Sequence, residues 1–269
     1  MNLHTRYAVP LTAMAAAVLS VFGPAPAHAD DEEIAELITP QSEFSVGGGY
    51  VFEDNQRFGQ FTGLRDKGLY GLLDFNLVKR YNDTGTWLRF YGRNVGFDDR
   101  ELRVDVERQG DWRAFLNYSQ TPNFIPYTVN TRLANVGGAT QAINGSPGFA
   151  SYDLETKRDT WTLGLGKNLP AGFDFQVRYQ NQKKEGSRFW GQGTFGTVNF
   201  LTDPIDYDTD QLEATLGYTG ESLQLLGGYY GTSFKNSNPS LTVQGGIAGM
   251  SPMALPPGND SWQVYLGGG

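Results

Sequence analysis

From Glu43 to Phe52 the chain alternates between oily and wet positions. Phe44, Val46, Gly48, Tyr50 and Phe52 fall on one parity, and Glu43, Ser45, Gly47 and Gly49 on the other. A period of two is that of a β-strand with one apolar and one polar face. The pattern recurs in Leu69, Gly71, Leu73, Phe75 and Leu77, in Leu88 and Phe90, in Leu102, Val104 and Val106, and in Trp112, Ala114, Leu116 and Tyr118. It continues through Trp161, Leu163 and Leu165, through Phe173, Phe175, Val177 and Tyr179, and through Leu212, Ala214, Leu216 and Tyr218. A Gly-rich strand over Leu223–Phe234 and a last one holding Trp262, Val264 and Leu266 bring the expected number to about ten. Each is of roughly the nine to eleven residues that cross a bilayer when tilted.

A soluble sandwich shows the same alternation, so the connections arbitrate. Tight polar turns occur at Asn82-Asp83-Thr84-Gly85, Gln109-Gly110-Asp111, Leu169-Pro170-Ala171-Gly172 and Thr219-Gly220-Glu221. Long connections occupy Glu53–Lys67, Thr121–Thr156, Asn181–Tyr207 and Lys235–Asp260. Threaded up and down, the strands put every tight turn at one end. Every long connection falls at the other, with only the short Phe97-Asp98-Asp99 link among them. That sorting predicts an all-β, antiparallel up-and-down transmembrane β-barrel. Tyr81, Trp87, Trp112, Phe173 and Tyr218 gather near the tight turns, as an interfacial aromatic girdle would.

The N-terminus changes the picture of location. Arg6, an apolar stretch from Ala8 to Phe22, and Ala27-His28-Ala29 have the layout of a secretory signal peptide over residues 1–29. Residues 30–42 then form a periplasmic N-terminal segment. Within it Ile34, Leu37 and Ile38 are spaced for a short helix ending at Pro40, with a disordered tail the equal alternative. Residues 43–269 form a partial barrel in the outer membrane of a Gram-negative-type envelope.

Composition removes most chemistry. There is no cysteine, and the only histidines, His4 and His28, lie in the expected signal peptide. Disulfides, thiolates, Ser-His-Asp triads, His-held metals and haem ligation are excluded, so no enzyme and no cofactor of its own are expected. Removing residues 1–29, which carry Arg6 and no acid, takes the formal charge from −8 to −9. Nucleic acid is not an expected partner. The run Gly191-Gln192-Gly193-Thr194-Phe195-Gly196 matches G-x-G-x-x-G but lacks the βαβ context that gives this spacing meaning.

One polar constellation stands out. Arg89, Tyr91 and Arg93 face Glu101, Arg103, Asp105 and Glu107 across a predicted hairpin, and Arg113, Asn117, Gln176 and Arg178 continue the same parity. In one register Arg93 meets Glu101 and Arg89 meets Asp105; a two-residue slip pairs Arg89 with Glu107. An Arg at mid-membrane costs about 2–4 kcal/mol on the lipid side, so these eleven residues are expected to face the lumen. They are structural charge pairs, or contacts for something held inside.

Several linked motifs resemble the opening of the MtrB/PioB family. They are Gly47-Gly48-Gly49-Tyr50-Val51, Arg57-Phe58-Gly59-Gln60-Phe61-Thr62-Gly63-Leu64, Gly68-Leu69-Tyr70-Gly71, Asp74-Phe75, Gly85-Thr86-Trp87-Leu88-Arg89, Arg100-Glu101-Leu102-Arg103 and Gln109-Gly110-Asp111-Trp112. The resemblance implies a decahaem-cytochrome-associated barrel that sheathes and positions a periplasmic multihaem c-type cytochrome for electron transfer across the outer membrane. The haem is then the partner's, and an outer-surface cytochrome is a second candidate partner. A Cys-x-x-Cys near the mature N-terminus of some members has no counterpart here. Complete members are longer, and ten strands do not enclose a cytochrome. The chain therefore reads as the N-terminal part of a larger barrel, an open curved sheet by itself. A general diffusion porin with a charged lumen wall is the alternative.

Overall fold

A computed structural model describes residues 39–131, 133–143, 150–194, 197–244 and 261–265. The chain divides into two units, Met1–Pro40 and Gln41–Gly269, and the second holds every described element. The expected signal peptide and the short helix around Ile34 lie outside the described residues.

Nine strands form one antiparallel sheet in the order β1-β2-β3-β4-β5-β8-β9-β10-β11. They are β1 (Glu43–Val51), β2 (Gly68–Tyr81), β3 (Thr86–Arg93), β4 (Glu101–Arg108), β5 (Trp112–Thr131), β8 (Ala150–Asn168), β9 (Phe173–Thr194), β10 (Thr197–Thr219) and β11 (Gln224–Asn236). Four short strands, β6 (Leu133–Ala134), β7 (Thr140–Ile143), β12 (Ser240–Gln244) and β13 (Ser261–Tyr265), form a second sheet. The strand around Trp262 is thus β13, paired with β12 rather than added as a tenth strand of the wall. Each strand of the large sheet pairs with the next one along it, and β1 does not pair with β11, so the sheet is open.

The four tight turns lie where the sequence puts them. Gly85, Gly110 and Gly172 take positive φ in three of them, a conformation that a β-carbon disfavours. The longer connections differ from expectation. β5, β8, β9 and β10 run 20, 19, 22 and 23 residues, about twice a bilayer crossing. Much of Thr121–Thr156 and Asn181–Tyr207 is therefore strand, a four-stranded extension rising past the ends of its neighbours. β4 stops opposite Ser119 and β11 opposite Tyr207, which leaves two bare edges on the extension.

Both edges are covered. On the β5 side the β1–β2 loop reaches over the short β3–β4 link. The Phe124 N–H donates to the Gln60 carbonyl, the Gln60 amide donates to Asn123 Oδ1, and the Arg65 guanidinium sits 4.0 Å from the Phe124 ring centre. The loop closes at Gly63 (φ +82°), where a β-carbon would lie 2.1 Å from an Asp98 carboxylate oxygen. On the β10 side Gln141 of β7, fully buried, caps the edge with its side-chain amide. Its amide donates to the Thr202 carbonyl at 2.8 Å and accepts from the Thr202 N–H at 3.3 Å. Leu154, Leu201, Ile205, Leu241 and Val243 are among the most buried apolar side chains of the described residues. We expect Gln141→Leu to leave both Thr202 backbone groups unpaired, costing about 1–3 kcal/mol. Limited proteolysis of the purified protein should then cut sooner within residues 133–143 and 201–205; an unchanged cleavage pattern would contradict this role.

Candidate functional site

Cross-strand register turns the alternation into two continuous surfaces. Along one row Leu116, Leu163, Tyr179 and Leu212 are successive partners; along the next are Ala114, Leu165, Val177 and Ala214. Phe44 opposes Phe75, Val46 opposes Leu73, and Phe90 opposes Val104 on the same face. These side chains are open to their surroundings: Leu69 is 80% exposed, Val46 71%, Leu165 51% and Leu163 44%. A continuous band of this kind is untenable against water and is satisfied by hydrocarbon. Aromatic pairs border it, Phe173 with Tyr218 at 4.9 Å near the tight turns and Tyr118 with Trp161 at 4.7 Å at the other limit. Just beyond, the Tyr118 hydroxyl donates to Asp159 Oδ1 at 2.7 Å.

The opposite face holds the charged constellation. Arg89, Tyr91 and Arg93 on β3, Glu101, Arg103, Asp105 and Glu107 on β4, Arg113 and Asn117 on β5, and Gln176 and Arg178 on β9 share it. Of the two registers open from sequence, Arg93↔Glu101 and Arg89↔Asp105 is the one formed. Arg93 lies 3.5 Å from Glu101. Asp105, however, is held by its own strand neighbour: Arg103 grips both its oxygens at 2.7–3.0 Å. Arg89 is left with no carboxylate within 4.0 Å among the described residues. It lines a recess of about 410 Å³ with Glu43, Asn76, Tyr91, Arg103 and Asp105.

The rest of this face is kept low. Phe115 lies flat across Gly164, where a β-carbon would meet the ring at 2.1 Å, with the Arg103 guanidinium 4.1 Å from the ring centre. Arg113 lies across Gly166 and donates to Gln176 Oε1 at 2.8 Å. Asp174 folds over Gly217 in the same way. Thr160, Thr162, Gln180, Gln211, Glu213 and Thr215 lie among them on β8, β9 and β10. From β5 to β10 the result is a wet, shallow wall, and Leu226, Tyr230 and Phe234 continue this face on β11.

Sequence reasoning missed Phe115 and the glycines beneath it, although Gly164 and Gly166 at alternate positions of a strand are a visible signal. Trp87 is a correction: it pairs with Glu107 on the polar face and not in the girdle, with the Arg80 guanidinium 5.4 Å from its ring centre. At the tight-turn end, outside the band, Asp111 bonds the Lys167 ammonium, which holds its carboxyl below the usual range. Gly191 to Thr194 lie in the strand tip of the β9–β10 hairpin, which denies G-x-G-x-x-G its dinucleotide context. Among the described residues no group of three or more carboxylates, histidines or cysteines is placed to hold a metal ion.

Residues 50–269 match a family model described as "Putative outer membrane beta-barrel porin, MtrB/PioB". The chain is also similar to a protein of Shewanella baltica (strain OS185) named "Outer membrane protein MtrB". The two are 26% identical over 243 residues, 83% of this chain and 35% of that relative. The chain thus spans about a third of the relative's length.

Proposed function

As this chain belongs to the MtrB/PioB family of outer-membrane β-barrel proteins, we propose that it forms part of a barrel wall enclosing a multihaem c-type cytochrome for electron transfer across the outer membrane. The observation that supports this reading is the low relief of the polar face. Phe115, Arg113 and Asp174 lie down over glycines instead of projecting, and so leave the bore to an occupant. The eleven polar-face residues are then its contacts, with Arg89 the cation left over for an acidic group. The haem belongs to that partner. This chain has no cysteine for thioether attachment and no histidine beyond residues 1–29. An electron path through haems needs a low-dielectric, positioned sheath, not a catalyst, and the family is one of outer-membrane porin-like barrels rather than of enzymes.

The test is purification from outer membranes in mild detergent, followed by haem staining. A c-type cytochrome should travel with the protein, and Gly164→Trp together with Gly166→Trp, which raise the wall without touching the lipid face, should lower its yield at least several-fold. A second reading, a diffusion porin, is favoured by the family's description and by the wet wall. Large, steady conductance of a haem-free preparation in planar bilayers would select it.

A further inference from the structure

We propose that Arg158, Lys184 and Arg188 form a binding site for a water-borne oxyanion of the phosphate type, on the polar face beyond the apolar band. The polar face is organised as rows of cross-strand partners, and in several of them an arginine stands directly beside an acid. Arg89 stands beside Asp105 and Arg178 beside Glu213 in one row; Arg93 stands beside Glu101 in another; Arg113 stands beside Glu107 in a third. The row Tyr91–Arg103–Asn117 ends on Glu43 at its other limb, through Asn76.

The row at the base of the extension differs from these. It reads Thr121, Arg158, Lys184, Tyr207, Asn236, with two cations as direct partners and no acid among the described residues. Like charges directly opposite on strands about 4.8 Å apart are destabilising. The charges acting on the Lys184 ammonium are Arg158, Arg188 and Asp203. Asp203, the single acid of the four, is already bonded by Arg188 at 2.7 Å. Acids and lysines of the same stretch, Lys157, Asp159, Lys183 and Glu185, have the opposite parity and pair among themselves, Lys157–Asp159 at 3.5 Å and Lys183–Glu185 at 2.5 Å.

The cluster is held together by a residue that only glycine can be. Gly186 stands between Lys184 and Arg188 with φ +123°, and a β-carbon there would lie 2.2 Å from the Glu155 carbonyl oxygen. β8 and β9 therefore close on each other where their cations are. Guanidinium and ammonium groups are donors only, and the hydroxyls of Thr121 and Tyr207 flank them in the row. A dianionic oxyanion supplies the acceptors that this row lacks, in charge-assisted hydrogen bonds. Lipid phosphate meets the other face, so the ligand is one dissolved in water.

The experiment uses the full chain folded in detergent micelles at low salt, in phosphate-free buffer, titrated with inorganic phosphate and followed by calorimetry and thermal unfolding. Saturable binding to the parent protein is expected. Arg158→Gln and Lys184→Gln should each weaken it about ten-fold, while Lys183→Gln, the same charge change on the opposite face, should not. Without phosphate, Lys184→Gln should unfold at a higher temperature than the parent, because a repulsion has gone, and phosphate should no longer stabilise it. Absence of saturable binding, equal binding by Lys183→Gln and Lys184→Gln, or binding only to lipopolysaccharide vesicles and not to free phosphate would each overturn the site.

Discussion

Leu163→Arg is expected to abolish assembly of this protein, while Gln180→Arg, one strand away, should leave assembly intact. Leu163 lies in the middle of the apolar band, between Leu116 and Tyr179, and is 44% exposed on the lipid side. A guanidinium there costs about 2–4 kcal/mol at the bilayer midplane. That is a large part of the roughly 5–15 kcal/mol that holds a typical fold. Gln180 partners Thr162 on the polar face, where a guanidinium stays in water. The measurement is the heat-modifiable band on a gel of the refolded variants, with protein levels in the outer membrane alongside. If the two variants assemble equally well, the assignment of faces is wrong.

The faces are legible from sequence because hydrocarbon is demanding. Every second residue within the band must be oily, and the stretches from Phe44 to Phe52 and from Phe173 to Tyr179 record that requirement directly. The β3–β4 register is legible to within two alternatives because charges there have few places to go. Above the band the signal disappears. Residues such as Lys183, Lys184 and Glu185 are wet on both faces, so a strand there has the composition of a loop. The extensions of β5, β8, β9 and β10 accordingly read as loops in the sequence. The edge caps at Gln60 and Gln141 are invisible for a related reason. Each acts on a residue 60 or more positions away, Phe124 or Thr202, and nothing local marks it. Side-chain partners are harder to read than strand partners. Asp105 lies opposite Arg89 as the alternation implies, yet Arg103, two residues along its own strand, holds it with a bidentate fork that outcompetes the reach across the hairpin. Trp87 follows its strand's parity to the polar side although its type suggests the girdle.

Removing Arg188 should be the most destabilising single change in the extension. Asp203 has only 4% of its side chain exposed, and its one ion pair among the described residues is to the Arg188 Nε at 2.7 Å. Its other oxygen, Oδ1, is buried with no hydrogen-bond partner among the described residues. Arg188→Leu strands a buried carboxylate, and breaking such a pair costs about 3 kcal/mol when one charge is left behind. The double variant Arg188→Leu with Asp203→Leu removes both charges and should recover most of that loss, since no uncompensated buried carboxylate is left. The measurement is a double-mutant cycle on the denaturant unfolding of the folded protein. Arg158→Leu supplies the contrast, because Arg158 faces Lys184 and no acid; its loss should cost little, and in phosphate-free buffer it should stabilise. Two arginines on adjacent strands of one face thus have opposite expected effects, set by whether a carboxylate stands next to them. Equal destabilisation by the two single variants would show that Asp203 is not desolvated, and with that the charge arithmetic of the whole upper wall would fail.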